Sequence, residues 1–322
     1  YVDALLADLD QDLPLVWGRT VHSVFFGGGT PSLFPADAIE RILQGASSRL
    51  RFAPEAEITL ETNPGTAEHG RFEDYRRAGV NRISFGIQTF DDATLKKLGR
   101  IHDSAQAAAA VDLARNAGFD NFNLDLMYAL PDQTLAMAEA DVLRAIDLAP
   151  THISHYQLTL EPNTVFAARP PTGIPDDDLA WDMQERCQVL LAEAGYAQYE
   201  VSAYARAGRQ CAHNLNYWRF GDYLGIGAGA HGKLTLGSEQ TILRRWKSKH
   251  PVAWLAGAGT QAGIGGDERI EPARRPFEFM LNALRLVDGF TLAGFEATTG
   301  LPPSTIEAAL AVAVDRGWLE RD

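Results

Sequence analysis

Short apolar strands alternate with amphipathic helices along the first two-thirds of the chain. Residues that favour β-structure are concentrated in five runs, at 21–26, 57–61, 82–88, 121–129 and 152–160. Between these runs, apolar residues recur at helical spacing over 36–50, 67–78, 91–98, 104–117 and 134–148. Gly79 and Gly118 each end a helical pattern just before a strand, as glycines at helix C-termini do. The alternation predicts a parallel sheet with right-handed crossovers, either an open sheet or a (β/α) barrel.

The pattern changes towards the end of the chain. A helix is predicted over 177–195 and a further strand over 199–205, whereas 216–250 is rich in Trp, Tyr and Gly and has little helical period. From about Glu271 the chain is helical again, and its last residues are expected to form a small wing. We therefore predict a barrel or sheet domain at 1–205, a connecting segment at 206–260 and a C-terminal helical domain at 261–322.

Composition narrows the class of protein. The chain has 322 residues, 46% of them hydrophobic, and carries 29 Lys and Arg against 42 Asp and Glu, a formal charge of −13. This acidic balance disfavours a nucleic-acid partner, because phosphate binding needs a cationic face. Two cysteines cannot build a disulfide scaffold and are typical of a reduced, cytoplasmic protein. No apolar run reaches the roughly 18 residues that a membrane span needs, so none is expected.

A glycine triplet follows the first predicted strand, in the segment FFGGGTPSLFP at 25–35. Glycines at the C-terminal end of a strand leave backbone groups uncovered and tolerate positive φ, so this turn is a candidate for main-chain contact with a charged ligand. The alternative is a sharp strand-to-helix turn that binds nothing. The segment lacks the Lys of a P-loop. A separate GxGxxG match at 227–232 precedes strand or loop rather than the helix of a dinucleotide site.

Polar side chains stand near the C-terminal ends of the later strands. Glu61 ends one strand, Gln88 ends the next, Asp125 lies within the third, and Arg100 follows a short helix. Taken singly, each fits a solvated or hydrogen-bonded structural residue. Together they predict a polar cup beside the glycine turn, suited to a ligand with sugar hydroxyl, ammonium and carboxylate groups.

The ordered motifs GGGTPS, ETNP, GIQTF, LGRIH and FNLDLMYALP resemble those of the radical S-adenosylmethionine (SAM) superfamily. The nearest branch is similar to the oxygen-independent coproporphyrinogen III oxidases and the HemW-type heme chaperones. The resemblance implies an α/β fold, a partial (β/α) barrel with a C-terminal helical, winged-helix-like domain. It also implies a SAM site in which the glycine motif holds the methionyl amino group and the aspartate contacts the ribose. The implied SAM residues are Gly28, Gly29, Thr30, Glu61, Gln88, Arg100 and Asp125.

The same resemblance implies a [4Fe–4S] cluster on a CxxxCxxC loop after the first barrel strand. This sequence has no such motif, since Cys187 and Cys211 lie 24 positions apart. An apolar stripe over Tyr1–Asp12 predicts a helix that would follow the loop. We therefore expect the cluster cysteines upstream of Tyr1 and no metal site within this chain. Neither cysteine has an obvious base in the sequence pattern, so a thiol nucleophile is not expected.

A second motif distinguishes the two branches. His213, Asn214, Tyr217 and Trp218 form HNxxYW, which resembles the motif that sets HemW-type heme chaperones apart from the oxidases. His and Tyr can ligate heme iron and aromatic rings can stack on a porphyrin, so these four residues are heme candidates. The alternatives are a buried aromatic cluster with a structural histidine, or half of a zinc site with Cys211. A second heme candidate, His231, lies in a glycine-rich segment.

The resemblance implies a cytoplasmic heme chaperone that binds heme and passes it to acceptor hemoproteins, with SAM and an upstream [4Fe–4S] cluster as companion ligands. Two alternatives stay open. One is an oxygen-independent coproporphyrinogen III oxidase, a radical SAM enzyme that decarboxylates two propionates. The other is a degenerate barrel that serves as an interaction module without cofactors. Catalytic turnover is therefore undecided, and no catalytic residue is assigned.

DNA binding is a further function to consider for a winged-helix-like domain. The basic residues of the C-terminal segment, Arg274, Arg275 and Arg285, are few and interspersed with acidic residues. A DNA-binding face needs a basic patch or stripe. A surface for a substrate or a protein partner is therefore the preferred interpretation of this domain.

Overall fold

The computed structural model describes residues 1–65, 71–162, 164–237 and 241–321. The chain divides into two compact units. One comprises Tyr1–Thr20, Gln44–Phe52 and His213–Asp322, and the other comprises Val21–Leu43 and Ala53–Ala212. The helix predicted over 67–78 lies partly outside the described residues.

A seven-stranded sheet dominates the second unit. Its strands are β1 (Thr20–Phe26), β2 (Arg51–Thr62), β3 (Arg82–Gln88), β4 (Phe122–Tyr128), β5 (His152–Gln157), β6 (Ala197–Glu200) and β7 (Ala203–Ala205), in the spatial order β1-β2-β3-β4-β5-β7-β6. Neighbouring strands from β2 to β5 pair in parallel, and β7 pairs antiparallel with both β5 and β6. Among the described strands β1 and β6 are the two edges, as expected for a partial barrel.

The observed strands of this sheet differ most from the predicted ones at β2 and at the pair β6 and β7, and β5 ends at Gln157 rather than at 160. β2 begins at Arg51, well before the predicted start at 57, and it contains Pro54, a residue that normally argues against a strand. The single strand predicted over 199–205 is in fact two short strands, β6 and β7, which pair with each other across a turn at Val201 and Ser202. Alternating side chains look the same in one strand and in a tight hairpin, so periodicity alone could not separate them.

Helices connect the strands and form most of the remaining structure. They are α1 (Val2–Val16), α2 (Ala36–Ser47), α3 (Phe72–Arg77), α4 (Asp92–Lys97), α5 (Ser104–Asn116), α6 (Leu135–Asp147), α7 (Val165–Ala168), α8 (Asp177–Glu193), α9 (Ala212–Trp218), α10 (Pro251–Gly257), α11 (Arg275–Ala283), α12 (Leu292–Thr299) and α13 (Glu307–Asp315). Within the described ranges, none of these helices has the length and apolar character needed to cross a lipid bilayer.

Local sequence signals account for several of the helix ends. Asp91 caps α4 by accepting the Thr94 N–H at 2.7 Å, and Asp103 forms a reciprocal capping box with Gln106 at the start of α5. Gly79 and Gly118 follow α3 and α5 with φ of 109° and 87°, so the prediction of C-terminal glycines is confirmed. The capping box at Asp103 fixes the end of the loop that carries Arg100.

The two faces of the parallel strands have opposite character. Ile83, Phe85 and Leu124 are 0% exposed and form the apolar core on one face. On the other face, Ser84 of β3 lies in register with Asn123 of β4, so polar side chains neighbour one another across the sheet. The apolar face contributes the folding free energy through burial, whereas the polar face is where the candidate site lies.

The first unit contains a three-stranded antiparallel sheet. Its strands are β8 (His231–Leu236), β9 (Thr241–Lys247) and β10 (Ile264–Ile270), in the order β10-β9-β8. Two of them, β8 and β9, fall in the segment 216–250, for which the sequence showed little helical period. Lys247 of β9 is 1% exposed, and its ammonium group lies 2.7 Å from Asp12 on α1 and also pairs with Asp8. This buried triad attaches the first helix to the sheet.

The C-terminal segment of the first unit is helical, as predicted. Phe279 and Phe295 pack edge to face with ring centroids 5.1 Å apart, and a small apolar core surrounds them. The helix predicted towards the end of the chain is present as α13. The residues that follow it, 316–321, form no strand, so the small wing expected there is absent from the described part.

Candidate functional site

A cavity of 230 Å³ opens at the C-terminal ends of the parallel strands in the second unit. It brings together six of the seven implied SAM residues, Gly29, Thr30, Glu61, Gln88, Arg100 and Asp125. The seventh, Gly28, donates its backbone N–H to Glu61 Oε2 at 3.2 Å and so adjoins the cavity. Residues spread over nearly a hundred positions of sequence thus form one polar site.

The glycine turn forms one wall of the cavity. Gly28 and Gly29 have φ of 82° and 63°, in the left-handed region that favours glycine. A Cβ atom on either residue would meet nothing within 4 Å, so the backbone conformation rather than lack of space requires glycine here. The turn leaves its backbone exposed at the mouth of the cavity, where a ligand with a charged end can be held.

Asn63 bridges the glycine turn and the loop that carries Arg100. It was not among the predicted site residues. Its Nδ2 donates to Thr30 Oγ1 at 3.3 Å, and its Oδ1 accepts from Arg100 Nη1 at 3.2 Å. Gly86 leaves room for this amide, because a Cβ at that position would lie 2.9 Å from Asn63 Oδ1. The position of Asn63 in ETNP, two residues after Glu61, was the available signal, but its role as a bridge depends on the fold.

Gln88 is held in an unusual backbone conformation at the end of β3. Its φ is 73°, rare for a residue other than glycine, and the β3–β4 register shifts between Phe85 and Gln88. Its side chain accepts a hydrogen bond from the Tyr156 hydroxyl at 2.9 Å. Burial raises the pKa of Tyr156, so this hydroxyl stays protonated and donates. Tyr156 is a second site residue that the sequence did not single out.

Two carboxylates, Glu61 and Asp125, face the cavity. Burial raises the pKa of Glu61, opposed by the hydrogen bond from Gly28 and reinforced by the charge of Asp125. Burial also raises the pKa of Asp125, opposed first by hydrogen bonds from polar neighbours. The ammonium and ribose hydroxyl groups of SAM fit this cavity. They can donate hydrogen bonds to the two carboxylates, to the Gln88 amide and to the exposed backbone of the glycine turn.

The cysteines do not form a cluster site. Cys187 is buried, and burial raises the pKa of its thiol to about 12. Cys211 is also buried, and its Sγ donates to Glu57 Oε1 at 3.4 Å. In the described ranges no three or more His, Cys, Asp or Glu side chains are placed to hold a metal ion. An iron–sulfur cluster therefore does not fit Cys187 and Cys211.

The HNxxYW motif lies on helix α9, where its rings form an aromatic cluster. The ring centroids of His213 and Tyr217 are 4.9 Å apart at an interplanar angle of 75°, as the (i, i+4) spacing of a helix allows. Tyr217 also contacts Tyr223, with centroids 4.3 Å apart. Burial raises the pKa of Tyr217 to about 12, so its hydroxyl is protonated near neutral pH. The ring of Tyr217 thus supports the imidazole of His213.

Trp218 ends the same helix and points its ring towards a cation. The Arg285 guanidinium carbon lies 4.4 Å from the centre of the Trp218 ring, a cation–π contact. The indole Nε1 is buried and has no hydrogen-bond partner among the described residues. Asn214 is half-buried on the same helix. The second candidate, His231, is exposed and stacks on Trp246 with centroids 6.4 Å apart.

Known proteins resemble this chain over almost its whole length. The family model of the radical SAM superfamily matches residues 7–145, and that of the HemN C-terminal domain matches residues 270–322. The protein named heme chaperone HemW from Escherichia coli (strain K12) is 50% identical over 319 residues, which cover 99% of this chain and 83% of that protein. The chain belongs to the HemW family. The protein of the same name from Haemophilus influenzae is 49% identical over 323 residues, with the same coverage.

The fold of this HemW-family chain also matches a solved structure. Coproporphyrinogen III oxidase (HemN) from Escherichia coli, described as a radical SAM enzyme, superposes with a TM-score of 0.81 over 100% of this chain and 77% of that chain. The two sequences are 23% identical, so this likeness shows the fold alone. The predicted partial barrel with a C-terminal helical region is thereby confirmed. The individual site residues and the domain boundaries stay predictions.

A larger surface groove is present elsewhere in the second unit of this HemW-family chain. It has a volume of 790 Å³ and lies along α6 and α8. Its walls include Glu139, Glu185 and Arg186, and none of the predicted site residues lines it. The cavity at the strand ends, with its convergent polar groups, is therefore the candidate cofactor site.

Proposed function

We propose that this protein is a heme chaperone, which binds heme and passes it to acceptor hemoproteins. The observation that carries the proposal is the 50% identity to the heme chaperone HemW of Escherichia coli across 99% of the chain. The HNxxYW motif, arranged as an aromatic cluster on α9, supports the same function because it offers both an imidazole and stacking rings to a porphyrin.

Within this cluster we assign the iron ligand to His213. A tyrosine ligates iron as the phenolate, and the raised pKa of Tyr217, about 12, makes that form costly near neutral pH. The imidazole of His213 needs no such ionisation. Tyr217 and Trp218 would contact the porphyrin or orient the imidazole, and Asn214 adds a neutral hydrogen-bonding group on the same helix. Heme is the cargo of the protein in this account.

We further propose that the cavity of the second unit binds SAM. Gly28, Gly29 and Thr30 would hold its methionyl end. Glu61 and Asp125 would accept hydrogen bonds from its ammonium and ribose groups, and Gln88 and Arg100 would complete the polar lining. When bound next to a reduced [4Fe–4S] cluster, SAM can undergo reductive cleavage. Neither Cys187 nor Cys211 is proposed as a cluster ligand, and the cluster ligands expected upstream of Tyr1 stay a prediction.

The alternative activity is that of an oxygen-independent coproporphyrinogen III oxidase. It is supported only by the likeness in fold, because the solved oxidase is 23% identical to this chain. A cytoplasmic location and transfer to hemoproteins follow from the proposed function and stay predictions. An interaction module without cofactors is disfavoured by the polar cavity, whose Glu61 and Asp125 carboxylates suit a polar ligand better than an apolar interface.

One experiment separates these functions. The full-length protein, prepared anaerobically, is incubated with a reductant, SAM and coproporphyrinogen III, and in parallel with hemin. A heme chaperone is expected to retain stoichiometric heme through gel filtration and to form no protoporphyrinogen. Catalytic formation of protoporphyrinogen would instead identify an oxidase. A protein that retains neither heme, SAM nor iron would leave only the interaction module.

A further inference from the structure

A chain of hydrogen bonds crosses the polar face of the sheet and ends at the Asp125 carboxylate. Its central member is His152 on β5, which is 0% exposed. His152 Nδ1 lies 2.6 Å from Asn123 Oδ1, and Nε2 lies 2.7 Å from the Tyr199 hydroxyl oxygen. That oxygen also accepts the backbone N–H of Cys211 at 3.3 Å. The chain therefore runs from the start of α9 to the floor of the cofactor cavity, inside one unit.

The donors and acceptors of this chain have one consistent arrangement. Asn123 Nδ2 donates to Asp125 Oδ1 and to Ser84 Oγ, both at 2.8 Å. The opposite amide orientation would place the amide oxygen against the carboxylate, which is repulsive. Because the amide oxygen of Asn123 can only accept, His152 Nδ1 carries the proton, and Nε2 accepts from the Tyr199 hydroxyl. Every hydrogen in the chain thus points towards Asp125.

We propose that His152 is a positioning residue for the cofactor cavity. As a neutral ring it fixes the orientation of the Asn123 amide, and this amide in turn holds the Asp125 carboxylate as a hydrogen-bond acceptor for the hydroxyl groups of the ligand. The inference rests on the proposed function, since it takes the ligand of the cavity to be SAM with its ribose. It assigns no role in bond breaking to His152.

The charged groups around the chain agree with this role. Burial lowers the pKa of His152 well below its usual value, and the positive charge of Arg82 acts in the same direction, so the ring is neutral. The same Arg82, 2% exposed, opposes the rise that burial causes in the pKa of Asp125. Glu61 is the other carboxylate on the cavity, and Glu57 lies 3.9 Å from Arg82 Nε. Burial raises the pKa of Tyr199, a member of the chain, and also that of Tyr156, which donates to Gln88 in the cavity.

The test compares ligand binding in two histidine variants of the same strand. His152→Phe removes the chain, whereas His155→Phe is the matched control. His155 is 3% exposed on the opposite face, stacks on Tyr128 with centroids 4.7 Å apart, and has an Nδ1 without a hydrogen-bond partner among the described residues. We expect His152→Phe to weaken SAM binding by about tenfold, because the Asn123 amide loses the hydrogen bond that orients it towards Asp125. His155→Phe should stay within about twofold, because phenylalanine can keep the stacking contact.

Two further readouts separate positioning from mere loss of structure. The wild-type protein should prefer SAM over its 2′-deoxyribose and 3′-deoxyribose analogues, and His152→Phe should lose that preference. On acidification, His152→Phe should also lose SAM binding at a higher pH than the wild type, because an Asn123 amide that is no longer oriented opposes the protonation of Asp125 less well. If His152→Phe does not fold, Tyr199→Phe carries the same test, since it removes the donor to Nε2, together with the acceptor of the Cys211 N–H, and keeps the imidazole in place.

The outcomes distinguish this inference from the proposed function. Wild-type protein that binds SAM while His152→Phe and Tyr199→Phe keep the wild-type affinity, deoxyribose preference and pH profile would overturn the role of His152 alone. Wild-type full-length protein that binds no SAM would overturn the cofactor assignment, and the inference with it. A loss of ribose preference confined to the His152 and Tyr199 variants is the result expected.

Discussion

Arg100 Nη1 donates a hydrogen bond to Asn63 Oδ1 over 3.2 Å, although 37 positions of sequence separate the two residues. The same Asn63 amide donates to Thr30 in the glycine turn. The Asn63 side chain therefore joins three segments at the mouth of the cavity. They are the glycine turn after β1, the segment after β2 and the loop after α4. The arrangement is possible because position 86, next to the amide, carries no side chain.

Gly86→Ala tests this link. The new Cβ would lie 2.9 Å from Asn63 Oδ1 and 3.1 Å from Gln88 Nε2, so both amides must move and their hydrogen bonds weaken. We expect SAM affinity to fall by about tenfold, measured by calorimetry on the full-length protein. Gly65→Ala is the control, because its Cβ would meet only the Asn63 carbonyl oxygen, at 3.9 Å. Equal affinity in both variants would show that the Asn63 bridge does not shape the site.

A buried carboxylate holds the segment that follows Gln88. Asp141 of α6 accepts hydrogen bonds from Thr89 Oγ1 and from the Phe90 N–H, both at 2.7 Å. Burial nevertheless raises the pKa of Asp141 from 3.8 to about 6, because these bonds offset only part of the desolvation. At pH 5 the folded state therefore holds a proton at Asp141 that the unfolded state has released.

This proton linkage predicts a pH dependence of stability. Because the folded pKa is the higher one, the contribution of Asp141 to the free energy of unfolding decreases as pH rises from about 4 to 6, by up to about 3 kcal/mol. Asp141→Asn should remove this decrease, which urea denaturation at pH 4, 5 and 7 would measure. Asp147→Asn, an exposed position on the same helix, serves as the control. A pH profile of Asp141→Asn that matches the wild type would contradict the assignment.

The triad of Asp8, Asp12 and Lys247 makes a second stability prediction. All three side chains are at most 1% exposed, and Trp254 Nε1 and the Gly227 N–H add hydrogen bonds to Asp8. Lys247→Met would leave the buried Asp8 carboxylate without its cation and Asp12 with Arg245 as its remaining ion pair, and we expect a loss of about 3–5 kcal/mol in chemical denaturation. Lys249→Met, two residues further on and exposed, should change stability by less than about 0.5 kcal/mol. Equal stability of the two variants would mean that α1 is held by other contacts.

Periodicity predicted the parallel part of the fold because each strand and helix there carries its own local signal. The runs around Ile83, Leu124 and Ile153 are buried strands. The helices before Gly79 and Gly118 end where these glycines predicted that they would. The seven implied SAM residues also meet at one cavity, since the C-terminal ends of parallel strands lie on one edge.

The features that sequence did not predict depend on contacts between distant residues. The pairing of Asp8 with Lys247 spans 239 positions, and neither residue type signals burial by itself. Tyr156 and Asn63 line the cavity only because the fold brings their strands together, and that pairing cannot be read from the local sequence. His152 is a similar case, because no local pattern in the sequence identifies Asn123 and Tyr199 as its partners.

The most direct measurement of the proposed function is a hemin titration of the full-length protein, followed at the Soret band. We expect the wild type to bind hemin saturably, and we expect His213→Ala to weaken the affinity for hemin by at least about tenfold. His22→Ala, an exposed histidine on β1, should bind heme as the wild type does. Identical titrations of the wild type and His213→Ala would contradict the heme assignment of the HNxxYW helix, and the absence of saturable binding in the wild type would contradict the chaperone function itself.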